Sequence, residues 1–395
     1  MSSVKKKQHY VPRFYLKYFA DFDNKFYVYD FSRNGVIPDR VYYESQCFKK
    51  FFYGEDGVLE EQLSKKEGEW AKACKKAISS DVLSESDCAL LKEFVLYQKQ
   101  RTDSNNNQRI EEREAVLREC VRQLYYHKGW QFDEVAENYC RQRAKEEITP
   151  AENVSLAVKM LKYIDDLSVI VVKYTTNSKL ITTDSPVVTL NAFMKFQGHG
   201  YDNVGVVFLM PLSPENLLVI YDEGLYKKYK GRLYVESTCE EEVLNINRYE
   251  IIHSERMFFS ADIRNIELVT DEVLGYRQRE INRNKTQFLG PEGSHRLIIS
   301  HSEGTDYYYE LPYGILPREY RRIPYNCREA IPRHFEKGWD NKLAMKYKVL
   351  SMTKNLPLND ETKREIPSKT DLKIGCRRME SLAYKYWKDK GYSLR

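Results

Sequence analysis

Between about Asp56 and Leu161 apolar residues recur every three to four positions, and from Leu167 onward they come in short β-branched runs. Helices grouped in one block and strands in others, without strict alternation, argue against a doubly wound parallel fold and for α+β. The expected architecture is a central helical block packed on a mostly antiparallel sheet. The helical spacing covers Val58 to Ile78, Asp87 to Gln100, Asn107 to His127, Phe132 to Glu147 and Ala151 to Leu161. Ser84, three residues before Asp87, reads as an N-cap. The strand-like runs are Leu167 to Tyr174, Lys179 to Thr183, Pro186 to Leu190, Val204 to Met210 and Leu217 to Tyr221, separated by turn residues.

Outside these blocks, Lys25 to Phe31, the Asn34-Gly35 pair and the runs at Val36-Ile37 and Val41 to Tyr43 read as a hairpin. A later helix is expected over Glu240 to Glu255, followed by the short segment Arg256 to Ser260. Beyond about residue 270 the texture changes. Tyr276 to Lys285 is polar, Arg296 to Ser300 and Tyr307 to Leu311 can pair as strands, and prolines at 312, 317, 324 and 332 break the chain. A last helical spacing runs from Cys376 to Lys390. Residues 1–270 are therefore read as a core domain and 271–395 as an accessory region.

The charge is uneven in the same way. Leu311 to Arg395 carries 20 Lys and Arg against 10 Asp and Glu, a surplus of +10 in a chain whose total is +5. Such a surplus suits nucleic acid through counterion release, or a solvated face. Thirty-one Tyr against 17 Phe and 4 Trp supply rings for stacking on bases, unless they reflect composition alone. The eight cysteines show no C-x-x-C pair and read as thiols in a reducing cytoplasm. No apolar stretch follows the basic N-terminus, and the longest apolar runs are too short for a bilayer, so neither a signal peptide nor a membrane partner is expected. Phosphate-loop, dinucleotide, zincin and α/β-hydrolase motifs are missing from the sequence. Gly198-His199-Gly200 and the histidines at 295 and 301 are read as turn residues.

The opening Gln8-His9-Tyr10-Val11-Pro12-Arg13-Phe14-Tyr15-Leu16-Lys17-Tyr18-Phe19 resembles the start of bacterial proteins grouped as DUF4238, a domain of unknown function. Glu60-x-x-Leu63-x-x-x-Glu67, Gln98-x-x-Arg101, Thr182 to Pro186, Met210 to Pro214 and Asn245 fit the same family in the same order. The resemblance covers about residues 7 to 265. It implies a shared fold and recurring polar positions without a settled reaction. The family more often has Ser-Asp-Asn-Pro where this chain has Thr-Asp-Ser-Pro, and the basic C-terminal region has no counterpart.

Six polar residues stand out as candidate catalytic positions: His9, Glu60, Glu67, Gln98, Arg101 and Asp184. Glu60 and Glu67 share a helix face, and Gln98 and Arg101 extend the apolar row of Phe94, which calls for a carboxylate beside Arg101. Asp184 follows a strand and precedes Pro186, an address for a catalytic group or for a side-chain-bonded turn. Two readings follow. In one, carboxylates hold Mg²⁺ or Mn²⁺, Arg101 stabilises anionic charge and His9 moves a proton in hydrolysis of nucleic acid or another phosphate ester, a chemistry that suits a toxin-like or phage-defence role. In the other, the polar set locks the fold of a non-catalytic module that binds nucleic acid or protein through its C-terminal region.

Overall fold

The opening motif folds as a three-residue strand, β1 (Lys7–His9), and one helical turn, α1 (Arg13–Leu16), entered through Pro12 at φ −62°. That angle is fixed by the pyrrolidine ring, so the chain is already set for the helix. The structure, a computed structural model, describes residues 6–192, 200–203, 205–281, 284–289, 297–302 and 311. Next come β2 (Lys25–Asp30), β3 (Gly35–Val36), β4 (Val41–Tyr42) and β5 (Phe48–Lys50). Both β3 and β4 pair antiparallel with β2, as the Asn34-Gly35 turn predicts, and Asn34 takes a left-handed φ of 48°. β1 pairs with β5, placing Gln8 opposite Lys49.

The helical block is α2 (Val58–Ser79), α3 (Glu85–Gln100), α4 (Asp103–Lys128), α5 (Glu134–Glu147) and α6 (Pro150–Met160). Ser84 and Asp87 form the expected capping box on α3, and Thr149 with Glu152 forms another on α6. Each satisfies two backbone donors that a helix start leaves open. Gly129, at φ 66°, ends α4 in a conformation that costs glycine little. Helices α2 and α3 are joined through Glu93, which accepts from Trp70 Nε1 at 2.8 Å and from Lys66 Nζ at 2.5 Å.

Then follow β6 (Ser168–Tyr174), β7 (Thr182–Thr183), β8 (Val188–Asn191), β9 (Val206–Ser213), β10 (Asn216–Tyr221) and β11 (Tyr234–Ser237). The chain continues through α7 (Glu240–His253), β12 (Met257–Ser260), α8 (Asp271–Ile281), β13 (Asn284–Leu289) and β14 (Leu297–Ser302). One sheet has the order β11-β6-β10-β9-β8 and is antiparallel except where β11 meets β6. A second joins β3-β2-β12-β7, with β4 also on β2.

Strands β9 and β10 are buried at every position, which explains their unbroken apolar runs. Leu217, Val219 and Tyr221 join a core with Val243, Ile246 and Tyr249 of α7. Leu218 and Ile220 face the opposite core, with Trp70, Leu91 and Phe94 of the helical block. Successive side chains on a strand point to opposite faces, so the sheet separates two cores. The protein is α+β, with its helical block on one face of a mostly antiparallel sheet and α7 on the other.

The polar stretch from Tyr276 turns out to begin inside α8. Val273 and Arg277, four residues apart and so on one helix face, are buried where α8 packs along α7. Leu311 also joins the core of α7. β14 pairs antiparallel with β13; of the Tyr307 to Leu311 segment expected to pair with it, only Leu311 lies within the described residues. The helix expected over 376–390, the proline-broken stretch beyond Leu311, and the sites at 198–199 and 295 lie outside the described residues. Among the described residues no helix is long and apolar enough to cross a membrane.

Candidate functional site

The opening motif is gripped through its main chain. Gln8 is fully buried; its Oε1 accepts from the Tyr53 amide at 2.6 Å and its Nε2 donates to the Gly54 carbonyl at 3.0 Å. Gln98 and Arg101, one turn apart at the end of α3, donate to the consecutive carbonyls of Tyr10 (3.0 Å) and His9 (2.7 Å). The His9 ring points elsewhere. Its Nε2 lies 3.2 Å from the Glu44 carbonyl, and its ring centre lies 5.5 Å from that of Phe48. Burial lowers its pKa, partly opposed by the Glu44 carbonyl.

Arg101 is 1% exposed and carries the partner that the sequence calls for: its Nη2 donates to Glu67 Oε1 at 2.7 Å, and its Nε to the Tyr53 hydroxyl at 3.1 Å. Burial disfavours the charge, but Tyr53 and Glu67 more than offset that and hold the guanidinium above its ordinary pKa. Glu60, one face with Glu67 but nearer the start of α2, acts through space on Tyr53. The Tyr53 hydroxyl is pushed up to about 12, first by burial and then, against Arg101, by Glu67 and Glu60. Gln98 Oε1 and Arg101 Nη1 are buried with no hydrogen-bond partner among the described residues.

Asp184 forms a separate centre. At 3% exposure, its Oδ1 accepts from the Glu255 amide at 3.0 Å, and its Oδ2 from the Arg256 and Met257 amides at 2.8 and 3.1 Å. The bonds of a side-chain-to-backbone turn are made, but to the entry of β12 and not locally. Burial pushes its carboxyl up to about 7 against the pull of those three donors. Close by, Tyr15 Oη lies 2.7 Å from both Thr182 Oγ1 and the Pro211 carbonyl, linking three motifs that are far apart in the chain.

Further polar residues hold this region that the sequence reading passed over. Asn247 docks the strand leading to β7: its Oδ1 accepts from the Ile181 amide at 3.0 Å and its Nδ2 donates to the Lys179 carbonyl at 2.9 Å. Asn245 accepts from Arg248 Nη1 at 2.6 Å. Glu250 is fully buried 3.3 Å from Thr183 Oγ1, and desolvation raises its pKa well above the carboxylate range. A signal existed for it. Val243, Ile246 and Glu250 follow helical spacing, which puts a carboxyl on the apolar face of α7.

A cleft of about 620 Å³ lies between the opening segment and the start of β12, lined by Tyr10, Lys49, Asp103, Asp184, Arg256 and Arg277 among others. His9, Glu60, Glu67, Gln98 and Arg101 do not line it. The structure thus gathers Glu67, Gln98, Arg101 and the His9 backbone into one knot, with Glu60 at its edge, and sets Asp184 against the cleft. On the cleft wall Arg256 holds Asp30 in a fork, at 2.8 and 3.3 Å, which together with Ser32 keeps the Asp30 carboxyl at about 2 despite its burial. Lys49 is bound to Asp103 at 2.6 Å.

This donor set does not fit the expected Mg²⁺ or Mn²⁺. Both oxygens of Asp184 are engaged by amides, Glu67 is engaged by Arg101, and among the described residues no three His, Cys, Asp or Glu side chains are placed to share a cation.

No curated protein and no solved structure matches the chain. A family model described as "Protein of unknown function (DUF4238)" matches residues 7–263, a span that takes in the Arg101 knot and Asp184, and the chain belongs to that family.

Proposed function

We propose that this chain is a nucleic-acid-binding module of the cytoplasm, in which the polar motif residues lock the fold and the basic C-terminal region supplies phosphate contacts. The observation that carries the first half is the inward turn of Arg101. Its guanidinium holds a backbone carbonyl, a tyrosine hydroxyl and Glu67 at 1% exposure, which leaves it out of reach of a substrate. The surplus of +10 over Leu311 to Arg395 supports the second half. Fluorescence anisotropy with labelled single-stranded and duplex oligonucleotides tests it. Affinity is expected to fall linearly on a log–log plot against salt; binding that ignores salt, or no binding, would overturn the proposal.

One observation favours a hydrolytic second reading. Asp184 sits on an open cleft with its carboxyl near 7, suited to proton transfer at neutral pH. A phosphate-ester hydrolase of toxin-like or phage-defence type would use it so. Cleavage of an oligonucleotide that is lost in a folded Asp184→Ala variant would replace the first reading with this one.

A further inference from the structure

The described residues hold three well-buried or wall-lining arginines near the opening motif, and their circumstances differ. Arg101 has Glu67, and Arg256 has Asp30. Arg277, 9% exposed on α8, has no ion-pair partner among the described residues. Its guanidinium lies over the Phe31 ring at 4.0 Å, donates to the Glu255 carbonyl, and comes within 3.5 Å of Ser254 Oγ. Desolvation lowers its pKa, with Asp184 and Glu255 acting on it only through space. Its hydrogen-bond acceptors are neutral, so the charge has no contacting counter-ion among the described residues, and an anion in the cleft would supply one.

Arg277 lines the cleft described above, whose volume of about 620 Å³ is that of a small-molecule site. A second element converges there. Asp103 and Ser104, the first two residues of the 26-residue helix α4, also line the cleft, and Lys49 neutralises the Asp103 carboxylate. The start of a long helix favours an oxyanion with several acceptor oxygens, and the planar fork of an arginine matches the same group. Ser32, Ser45 and Gln46 add polar groups to the lining, which also includes the acidic Glu255.

We infer that this cleft binds a small organic molecule carrying a phosphate group, held between the Arg277 guanidinium and the start of α4. The site lies on the folded body and is independent of nucleic-acid contact by the C-terminal region. Its walls join Tyr10 and Asp184, from the family motifs, to Arg277, which lies beyond the matched residues 7–263.

Isothermal titration calorimetry of the full chain with AMP, and separately with malonate at equal ionic strength, tests the assignment. AMP is expected to bind saturably at one site, roughly tenfold or more weakly in Arg277→Gln. Arg277→Lys should fall between the two, since it keeps the charge and loses the fork. Arg264→Gln, which alters an exposed arginine bound to Asp262, should leave the affinity unchanged. Circular dichroism checks that each variant folds; if Arg277→Gln does not, Arg277→Lys carries the comparison. Equal AMP affinity in wild type and the Arg277 variants, preference for malonate, or no saturation would each overturn the inference.

Discussion

Arg101 donates to the backbone carbonyl of His9 at 2.7 Å, so the histidine of the opening motif is bound to α3 by its main chain while its ring lies outside the guanidinium's network. The motif therefore anchors the fold at this point by a route that its side chain does not share.

Removing the guanidinium should be costly. Arg101→Leu leaves Glu67 and the Tyr53 hydroxyl without the guanidinium donor and the His9 carbonyl with only the Tyr53 hydroxyl, 3.3 Å away, and a loss of about 3–5 kcal/mol is expected in urea denaturation. Glu67→Gln keeps the other two bonds and should lose less, about 1.5–3 kcal/mol.

The His9 ring makes a far smaller contribution on this account. His9→Ala gives up the approach to the Glu44 carbonyl and some packing on Phe48, and should cost about 1 kcal/mol. A loss as large as that of Arg101→Leu in the same denaturation experiment would show that the ring, not the carbonyl, is the anchor.

Tyr15→Phe isolates the meeting point of three motifs. The ring stays packed against Phe19 and Phe94, but the bonds to Thr182 and the Pro211 carbonyl disappear. A destabilisation of about 1–3 kcal/mol is expected, read as a lower midpoint in thermal or urea unfolding.

Asp184 predicts a pH dependence of definite sign. Its folded pKa of about 7 lies above the ordinary carboxylate value, so the folded state keeps a proton that the unfolded chain releases as pH rises from about 4. The associated stability is present below that pH, declines as pH rises toward 7 by at most about 1.4 kcal/mol per unit, and is flat above it. Asp30, held at about 2, works in the opposite sense in a lower window, its contribution being lost as pH falls from about 4 to 2. Urea midpoints between pH 4.5 and 7.5 should therefore change less in Asp184→Asn than would follow from subtracting a pH-independent cost; parallel curves for variant and wild type would refute the shift.

Much of the fold could be read from local pattern. The helices of the block carry their own periodicity and caps, as Ser84 with Asp87 illustrates, so their ends follow from neighbouring residues. The three-residue strands β1 and β5 could not be found so, because neither has enough length to show alternation and each exists through the other. The Arg101 to Glu67 pair was half legible: helical spacing demanded a carboxylate and nominated two, but only tertiary packing chooses between Glu60 and Glu67. Asp184 illustrates the other limit. Its donors come from residues 71 to 73 positions later, and no local feature announces such a pairing. Arg277 was hidden among charged neighbours because α8 had not been separated from the polar stretch around it.

The double grip of Gln98 and Arg101 on the carbonyls of Tyr10 and His9 has a bearing on how this segment can change over time. A carbonyl is common to every amino acid, so the clamp itself is indifferent to which residues occupy positions 9 and 10. Any further restriction on those residues comes from what their rings meet: the Glu44 carbonyl and Phe48 for one, Phe52, the core and the cleft for the other. Attachment through the carbonyls and the contacts of the two rings are thus separate within two adjacent residues, and a substitution that alters a ring leaves the acceptors of the clamp in place.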